Sequence, residues 1–223
     1  ALKGSYHGDT VGTMAVGDTP VFHQAFKSIL YPVDFVDPPI PELVKANVKL
    51  DEGQKNKLIS ELYQEKEDEI IEHIFKQFKR YRGEGVDTEY AAFIVEPLIQ
   101  GAGGMRVCRK DYLNKLIKIF KDSRIIVIFD EVMTGFGRTG KMFALDHISE
   151  KPDIICLAKS LTGGYIPLAA TIFNEEIHRE FVDSNFKKTF LHGHTFTANP
   201  VGCSAALASL NLFAKDETFK NIK

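Results

Sequence analysis

The sequence is poor in cysteine, in net charge and in long apolar runs. Its three cysteines, Cys108, Cys156 and Cys203, are far apart, which excludes a disulfide framework and zinc-ligand spacing. They are predicted to be reduced, buried thiols, and no metal site is expected. A formal net charge of -2 over 223 residues argues against binding to nucleic acid or to an anionic membrane. No run is apolar for long enough to cross a bilayer, and no signal peptide is recognisable, so a cytoplasmic protein is expected.

From residue 91 onward, short apolar runs alternate with segments of helical periodicity. The apolar runs predict strands, and the periodic segments predict helices that cross between them. Strands are expected at residues 91–97, 124–130, 153–158 and 167–174, and helices at 110–123, 175–183 and 200–214. This alternation indicates an α/β fold with a mostly parallel sheet and helices on both faces.

A long charged stretch lies upstream, at residues 53–82, after a cluster of prolines that ends at Pro41. Six apolar residues recur in it at helical spacing, and the charges between them are typical of a solvated face. These six residues are Leu58, Leu62, Ile70, Ile74, Phe75 and Phe78. The stretch is therefore predicted to form one or two amphipathic helices.

Two charged residues stand at the predicted carboxyl ends of two strands, each before a glycine-rich loop. Asp130 ends one apolar run and Lys159 follows another, at the edge where open α/β sheets bind ligands. Alone, each has an ordinary explanation: the lysine could be solvated or paired with an acid, and the Asp130–Glu131 pair could bind magnesium or cap a helix. Together they are the groups that hold pyridoxal phosphate, the amine by covalent attachment and the acid on the pyridine nitrogen.

Five motifs carry a resemblance to a known family. They are SYHGDT (5–10), FIVEPLIQGAGGM (93–105), FDEVMTGFGRTGKMFALDH (129–147), LAKSLTGGYIPLAAT (157–171) and HGHTFTANPVGCSAALASL (192–210). In this order they resemble the class III, or ω-type, pyridoxal-phosphate-dependent aminotransferases. The resemblance implies the large domain of fold-type I transferases, with residues 1–223 as its central part. An N-terminal segment and a C-terminal small domain of that family would then be missing.

Within the family, the wording of the motifs is most similar to the biotin-pathway members. Relatives that act on ornithine or 4-aminobutyrate usually carry a gating glutamate where Ala102 stands, and many relatives carry a glutamine where Met133 stands. The resemblance implies transamination of 8-amino-7-oxononanoate to 7,8-diaminononanoate, with S-adenosylmethionine or lysine as amino donor. Two alternatives stay open: another class III ω-aminotransferase, or a truncated remnant of the fold without activity. This fragment alone is expected to be inactive.

The resemblance also assigns residues to the cofactor ring. Lys159 would be the catalytic residue and the point of attachment, and it would also contact the substrate. Asp130 would bind the ring nitrogen. Tyr6 would stack on one face of the ring and line the substrate pocket, while Val132 would pack on the other face.

The remaining assignments concern the phosphate, the substrate and a second subunit. Gly193 is expected to contact the substrate, and His194 and Thr195 the cofactor phosphate. In the family the threonine reaches the phosphate of the neighbouring subunit, which implies a homodimer with shared active sites. Glu96 is placed near the cofactor, with a catalytic role and a role in binding loop backbone equally supported.

Overall fold

The computed structural model describes residues 1–39, 51–83, 90–215 and 217–222. The chain forms two compact units, Ala1–Ala91 and Ala92–Lys223. Pro41, at the end of the predicted proline cluster, lies outside the described residues. None of the described helices has both the length and the apolar character that a bilayer-spanning segment needs.

The second unit is built on a four-stranded sheet and a small hairpin. The strands are β1 (Ala92–Val95), β2 (Ile99–Gln100), β3 (Arg106–Val107), β4 (Ile126–Asp130), β5 (Ile154–Leu157) and β6 (Ala170–Phe173). The sheet order is β1-β4-β5-β6, with the first three strands parallel and β6 antiparallel to β5. The four strands predicted from the apolar runs are thus confirmed, as is the mostly parallel sheet.

The helices are α1 (Val11–Ala15), α2 (Pro20–His23), α3 (Glu52–Gly83), α4 (Lys110–Asp122), α5 (Glu175–Phe181), α6 (Pro200–Ala214) and α7 (Glu217–Asn221). The three helices predicted in the second unit correspond to α4, α5 and α6. Helix α6 begins where the sequence predicts, because Pro200 occupies its first turn and Asn199 Oδ1 accepts the Gly202 N–H at 2.7 Å.

Helix α4 covers one face of the sheet. Its apolar stripe is buried, and the Phe120 ring stacks on Phe93 of β1 with centroids 4.1 Å apart. Val127 and Phe129 of β4 are fully buried, whereas Ile128, on the opposite face, is half-buried. This alternation follows the pleat, which points successive side chains to opposite faces. The parallel strands are therefore anchored through α4, which fixes where their carboxyl ends lie.

A second apolar cluster packs beneath the segment that follows β5. Phe136, Leu157, Leu161 and Ala206 are buried together, so that α6, the end of β5 and the 3-10 turn Lys159–Thr162 share one cluster. The small side chains of α6 permit this close approach. The turn that carries Lys159 is thereby held against a long helix.

Two predictions about burial were wrong in part. The charged stretch forms a single helix, α3, but only Ile70 and Ile74 of its predicted stripe are buried. Leu58 and Phe75 are 42% and 46% exposed, and the side chain of Phe78 lies outside the described residues. The cysteines are free, yet only Cys108 is buried, while the other two are half-buried. Spacing alone did not show which apolar residues would find partners.

Candidate active site

Three strands deliver charged residues to one edge of the sheet. Asp130 is the last residue of β4 and pairs in register with Cys156 of β5, three residues before Lys159. Glu96 follows Val95, which pairs with Phe129. Because neighbouring strands lie about 4.8 Å apart, the carboxyl ends of β1, β4 and β5 bring these residues to the same edge. The predicted positions of Asp130 and Lys159 at strand ends are confirmed.

Lys159 adopts a strained backbone conformation. It opens the turn Lys159–Thr162 with φ of 45°, in the left-handed region that residues other than glycine seldom occupy. Gly163, with φ of 64°, ends the turn, and the Ser209 hydroxyl of α6 donates to the Ser160 carbonyl at 3.2 Å. The fold thus holds the lysine in a position that an isolated peptide would not favour.

Lys159 and His194 line one cavity of about 860 Å³. The remaining lining is largely apolar and comes from the segments after β5 and before α6. It consists of Ala158, Gly164, Ile166, Pro167, Leu168, Ala169, Phe196, Thr197, Ala198 and Asn199. A volume of this size, with a few polar groups on apolar walls, is typical of cofactor sites. An amine and an imidazole in such a cavity fit an aldehyde-bearing, phosphorylated ring.

Several predicted residues lie near this cavity without lining it. Gly193 and Thr195 belong to the exposed segment that carries His194, but neither is part of the described lining. Asp130 and Val132 lie at the end of the adjacent strand, and the Val132 N–H donates to Asp130 Oδ1 at 3.1 Å. The structure therefore places Lys159 and His194 on the lining of one cavity, and Asp130 at the end of the adjacent strand.

Asp130 lies in a poorly solvated environment, with 7% of its surface exposed. Burial raises the pKa of the neighbouring Cys156 thiol, and the negative charge of Asp130 raises it further. A carboxylate in such a site interacts strongly with a nearby cation, because water screens it little. This environment suits an acid that holds a pyridine nitrogen in its protonated form.

Glu131 is a site residue that the sequence left undecided between a magnesium ligand and a helix cap. It is fully buried, and its Oε2 accepts the Thr134 hydroxyl at 2.7 Å and the Ala144 N–H at 2.8 Å. Its Oε1 accepts the Leu145 N–H at 2.7 Å. These contacts support the cap, since Ala144 and Leu145 open the 3-10 turn Ala144–His147. The described residues contain no group of three or more potential ligands able to hold a metal ion.

Glu96 also binds loop backbone. Its Oε2 accepts the Gly101 N–H at 2.8 Å, in the hairpin loop between β2 and β3. A Cβ at Gly101 would overlap Sδ of Met133, so the glycine lets the loop pack on the residue that follows Val132. Ala102 is exposed in the same loop. Of the two roles predicted for Glu96, these contacts favour the structural one.

Tyr6 lies in the first unit, in a polar and aromatic cluster of that unit. Its hydroxyl donates to Asp9 Oδ2 at 2.9 Å, and this hydrogen bond raises the pKa of the Tyr6 phenol. The ring of His23 stacks on Tyr6 with centroids 5.7 Å apart and an angle of 21° between the planes. His23 was missed in the sequence, because it lies 17 positions after Tyr6 and shares no motif with it.

The fold and the strand-edge residues define a class of protein, the pyridoxal-phosphate-dependent transferases of mixed α/β architecture. A family model described as aminotransferase class III matches residues 1–223. The chain belongs to the class III aminotransferase family. Together with a solved neighbour in its PLP-bound form, the family indicates pyridoxal phosphate as the cofactor.

Curated relatives of this chain from distant organisms share one name. The chain is 41% identical over 217 residues to the adenosylmethionine-8-amino-7-oxononanoate aminotransferase of Synechococcus elongatus, covering 97% of this chain and 46% of the relative. It is 40% identical over 228 residues to the enzyme of that name from Methanocaldococcus jannaschii, covering 100% and 47%. The chain thus spans about half the length of the curated relatives it matches.

Solved structures agree with this assignment. The crystal structure of the Methanocaldococcus jannaschii enzyme superposes with a TM-score of 0.72 at 38% identity, covering 100% of this chain and 45% of that one. The PLP-bound amine transaminase of an uncultivated Pseudomonas species gives a TM-score of 0.79 at 32% identity, covering 97% and 45%. Both similarities extend over nearly the whole described chain.

Proposed function

We propose that this chain forms the central part of the large domain of an aminotransferase that converts 8-amino-7-oxononanoate to 7,8-diaminononanoate. The observation that carries the proposal is the placement of Asp130 and Lys159 at the carboxyl ends of adjacent parallel strands, with Lys159 lining a cavity of cofactor size. Support for the substrate comes from the curated relatives, which are named for this reaction at 34–41% identity.

Lys159 and Asp130 carry the chemistry. Bound pyridoxal phosphate supplies an electron sink that stabilises negative charge on the substrate carbon. The Lys159 amine would hold the cofactor covalently and, as a free amine, would move the proton from the substrate carbon to C4′ of the cofactor. The Asp130 carboxylate keeps the ring nitrogen protonated, because opposite charges in a poorly solvated site favour the ionised pair.

Other residues position the cofactor and the substrate. Tyr6 and Val132 pack on the two faces of the ring, and Tyr6 also lines the substrate pocket. His194 contacts the cofactor phosphate, which its position on the cavity wall supports. Glu96 holds the adjoining loop through the Gly101 N–H.

The active site is shared between two subunits in this proposal. Gly193 contacts the substrate, and Thr195 reaches the phosphate of the neighbouring subunit in a homodimer. The exposure of both residues supports this arrangement, since neither lines the cavity of its own chain. S-adenosylmethionine, which the relatives carry in their name, is the proposed amino donor, and the cytoplasm the proposed location.

The test of the cofactor linkage is Lys159→Ala in the intact protein. The protein should develop visible absorbance with pyridoxal phosphate, and Lys159→Ala should abolish it. Lys118→Ala is the matched control, because Lys118 is an exposed lysine that pairs with Asp122. Borohydride reduction and peptide mapping should place the pyridoxyl group on Lys159, and its recovery on another lysine would refute the assignment.

The substrate is tested by comparing three amino compounds. Relatives that act on ornithine or 4-aminobutyrate usually carry a gating glutamate where Ala102 stands. The intact protein should therefore accept 8-amino-7-oxononanoate and should not turn over ornithine or 4-aminobutyrate. Efficient turnover of either amine, with none of the biotin precursor, would overturn the proposed substrate. Cofactor binding without any turnover would instead favour the inactive remnant.

A further inference from the structure

His23 is buried beside the tyrosine that the proposed function places on the cofactor ring. Only 4% of its surface is exposed, although histidine in general is only intermediate in how often it is buried. Its ring lies nearly parallel to that of Tyr6, at 5.7 Å between centroids, while Phe22 approaches Tyr6 edge-on at 5.7 Å and 66°. One face of the Tyr6 ring is thereby supported by the imidazole.

A chain of polar contacts connects the same groups. His23 Nε2 lies 3.4 Å from Asp9 Oδ1, and Asp9 Oδ2 accepts the Tyr6 hydroxyl at 2.9 Å. On the other side of the imidazole, Nδ1 lies 3.4 Å from Thr19 Oγ1. Because a carboxylate only accepts, Nε2 is the donor toward Asp9, and Nδ1 lies within hydrogen-bond distance of the Thr19 hydroxyl.

The side chains that make these contacts differ in their exposure to solvent. The Asp9 side chain is 73% exposed and would be mobile alone, whereas the His23 side chain is 5% exposed. Gly17 makes room for the imidazole, since a Cβ there would lie 3.1 Å from His23 Cε1 and 3.3 Å from the Ser5 carbonyl. The buried histidine is thus the fixed point from which the exposed carboxylate and the phenol are oriented.

We propose that His23 is a positioning residue that sets the plane of the Tyr6 ring by stacking and the direction of its hydroxyl through Asp9. The inference rests on the proposed function for the role of Tyr6 toward the cofactor. Because a stacked aromatic pair contributes about 0.5–1.5 kcal/mol, loss of the imidazole should weaken cofactor binding about 2- to 12-fold. It should act on affinity and KM more than on kcat, since His23 touches no reacting atom.

The experiment compares His23→Ala, His23→Phe and the control His178→Phe, an exposed histidine on α5. Tyrosine labelled at Cζ with ¹³C reports the Tyr6 phenol in the cofactor-free protein, with Tyr6→Phe identifying its resonance. In His23→Ala the resonance should move and the phenol pKa should fall toward its ordinary value, because Asp9 is no longer held. His23→Phe should restore most of the cofactor affinity through its ring, but not the phenol titration.

Asp9→Asn is a second variant for the Tyr6 phenol measurement, needed if a change at the buried His23 impairs folding. Asp9 is exposed, and its substitution should lower the Tyr6 phenol pKa without unfolding the protein. An unchanged Tyr6 resonance in Asp9→Asn or in folded His23→Ala, or unchanged cofactor affinity in folded His23→Ala, overturns the inference. The phenol measurement needs no cofactor, so it stands apart from the Lys159 test of the proposed function.

Discussion

Replacing Glu131 by glutamine tests whether the hydrogen bonds to this buried carboxylate stabilise the glycine-rich loop that follows Asp130. Glutamine has the same shape but offers one acceptor oxygen in place of two. If that oxygen stays at the Oε2 position, it still accepts from Thr134 and Ala144. The amide NH₂ then faces the Leu145 N–H, which donates to Oε1 at 2.7 Å in the native protein. Two donors oppose each other, and one N–H loses its acceptor.

The free-energy cost follows from these contacts. A part-buried N–H without an acceptor costs about 1–3 kcal/mol. The two remaining hydrogen bonds change from charge-assisted to neutral, which weakens each by roughly half. Glu131→Gln should therefore lower the free energy of unfolding by about 2–4 kcal/mol.

Urea unfolding of the cofactor-free intact protein measures this loss. Glu69→Gln is the matched control, because Glu69 is exposed on α3 and pairs with Lys66 at 2.9 Å. Exposed pairs of this kind contribute at most about 1 kcal/mol. Equal unfolding free energies for Glu131→Gln and Glu69→Gln would refute the reasoning, because the Glu131 carboxylate would then not stabilise the loop.

Two further substitutions, measured in three assays, examine the same edge of the sheet. Asp130→Asn should reduce turnover by tens to several hundredfold, about 2–4 kcal/mol of transition-state stabilisation, because a neutral amide does not keep the ring nitrogen protonated; near-normal turnover in a steady-state assay would exclude that role. In the same variant, iodoacetamide should alkylate Cys156 faster below pH 9. The Asp130 charge raises the pKa of the Cys156 thiol and so leaves less reactive thiolate, and the variant removes that charge. Cys203 provides the reference rate, and an unchanged ratio of the Cys156 rate to the Cys203 rate contradicts the prediction. Gly135→Ala should lower the free energy of unfolding by about 1–3 kcal/mol, because its Cβ would lie 2.9 Å from the Glu131 carbonyl; calorimetry that finds no loss would show that the backbone adjusts freely.

Residues 91–215 could be predicted well because their signals are local. Buried parallel strands are short apolar runs, and each was expected within a few residues of its observed bounds. Helix α6 was predicted with its observed bounds, since Asn199 and Pro200 mark its start. The placement of Asp130 and Lys159 followed from those strands, because parallel strands end at one edge.

What the sequence did not reveal depends on contacts between distant residues. Glu131 binds donors that are up to 14 residues away, and His23 stacks on a ring 17 residues before it. No periodicity encodes either contact. Leu58 and Phe75 fit the helical spacing of α3 yet remain exposed, because burial requires a partner surface as well as a favourable position.

The adjacent acids Asp130 and Glu131 should separate into two functions when each is replaced by its amide. Asp130 accepts the Val132 N–H, a contact that an asparagine oxygen can keep, so its loss of charge should affect turnover far more than unfolding. Glu131 is fully buried and uses both oxygens on loop donors, so its amide should lower stability first and affect turnover only as the loop opens. Measuring turnover and the free energy of unfolding for Asp130→Asn and Glu131→Gln tests this division of roles. If Asp130→Asn destabilises the protein as much as Glu131→Gln and the two reduce turnover equally, both carboxylates hold the loop, and the acid that protonates the ring must be sought elsewhere.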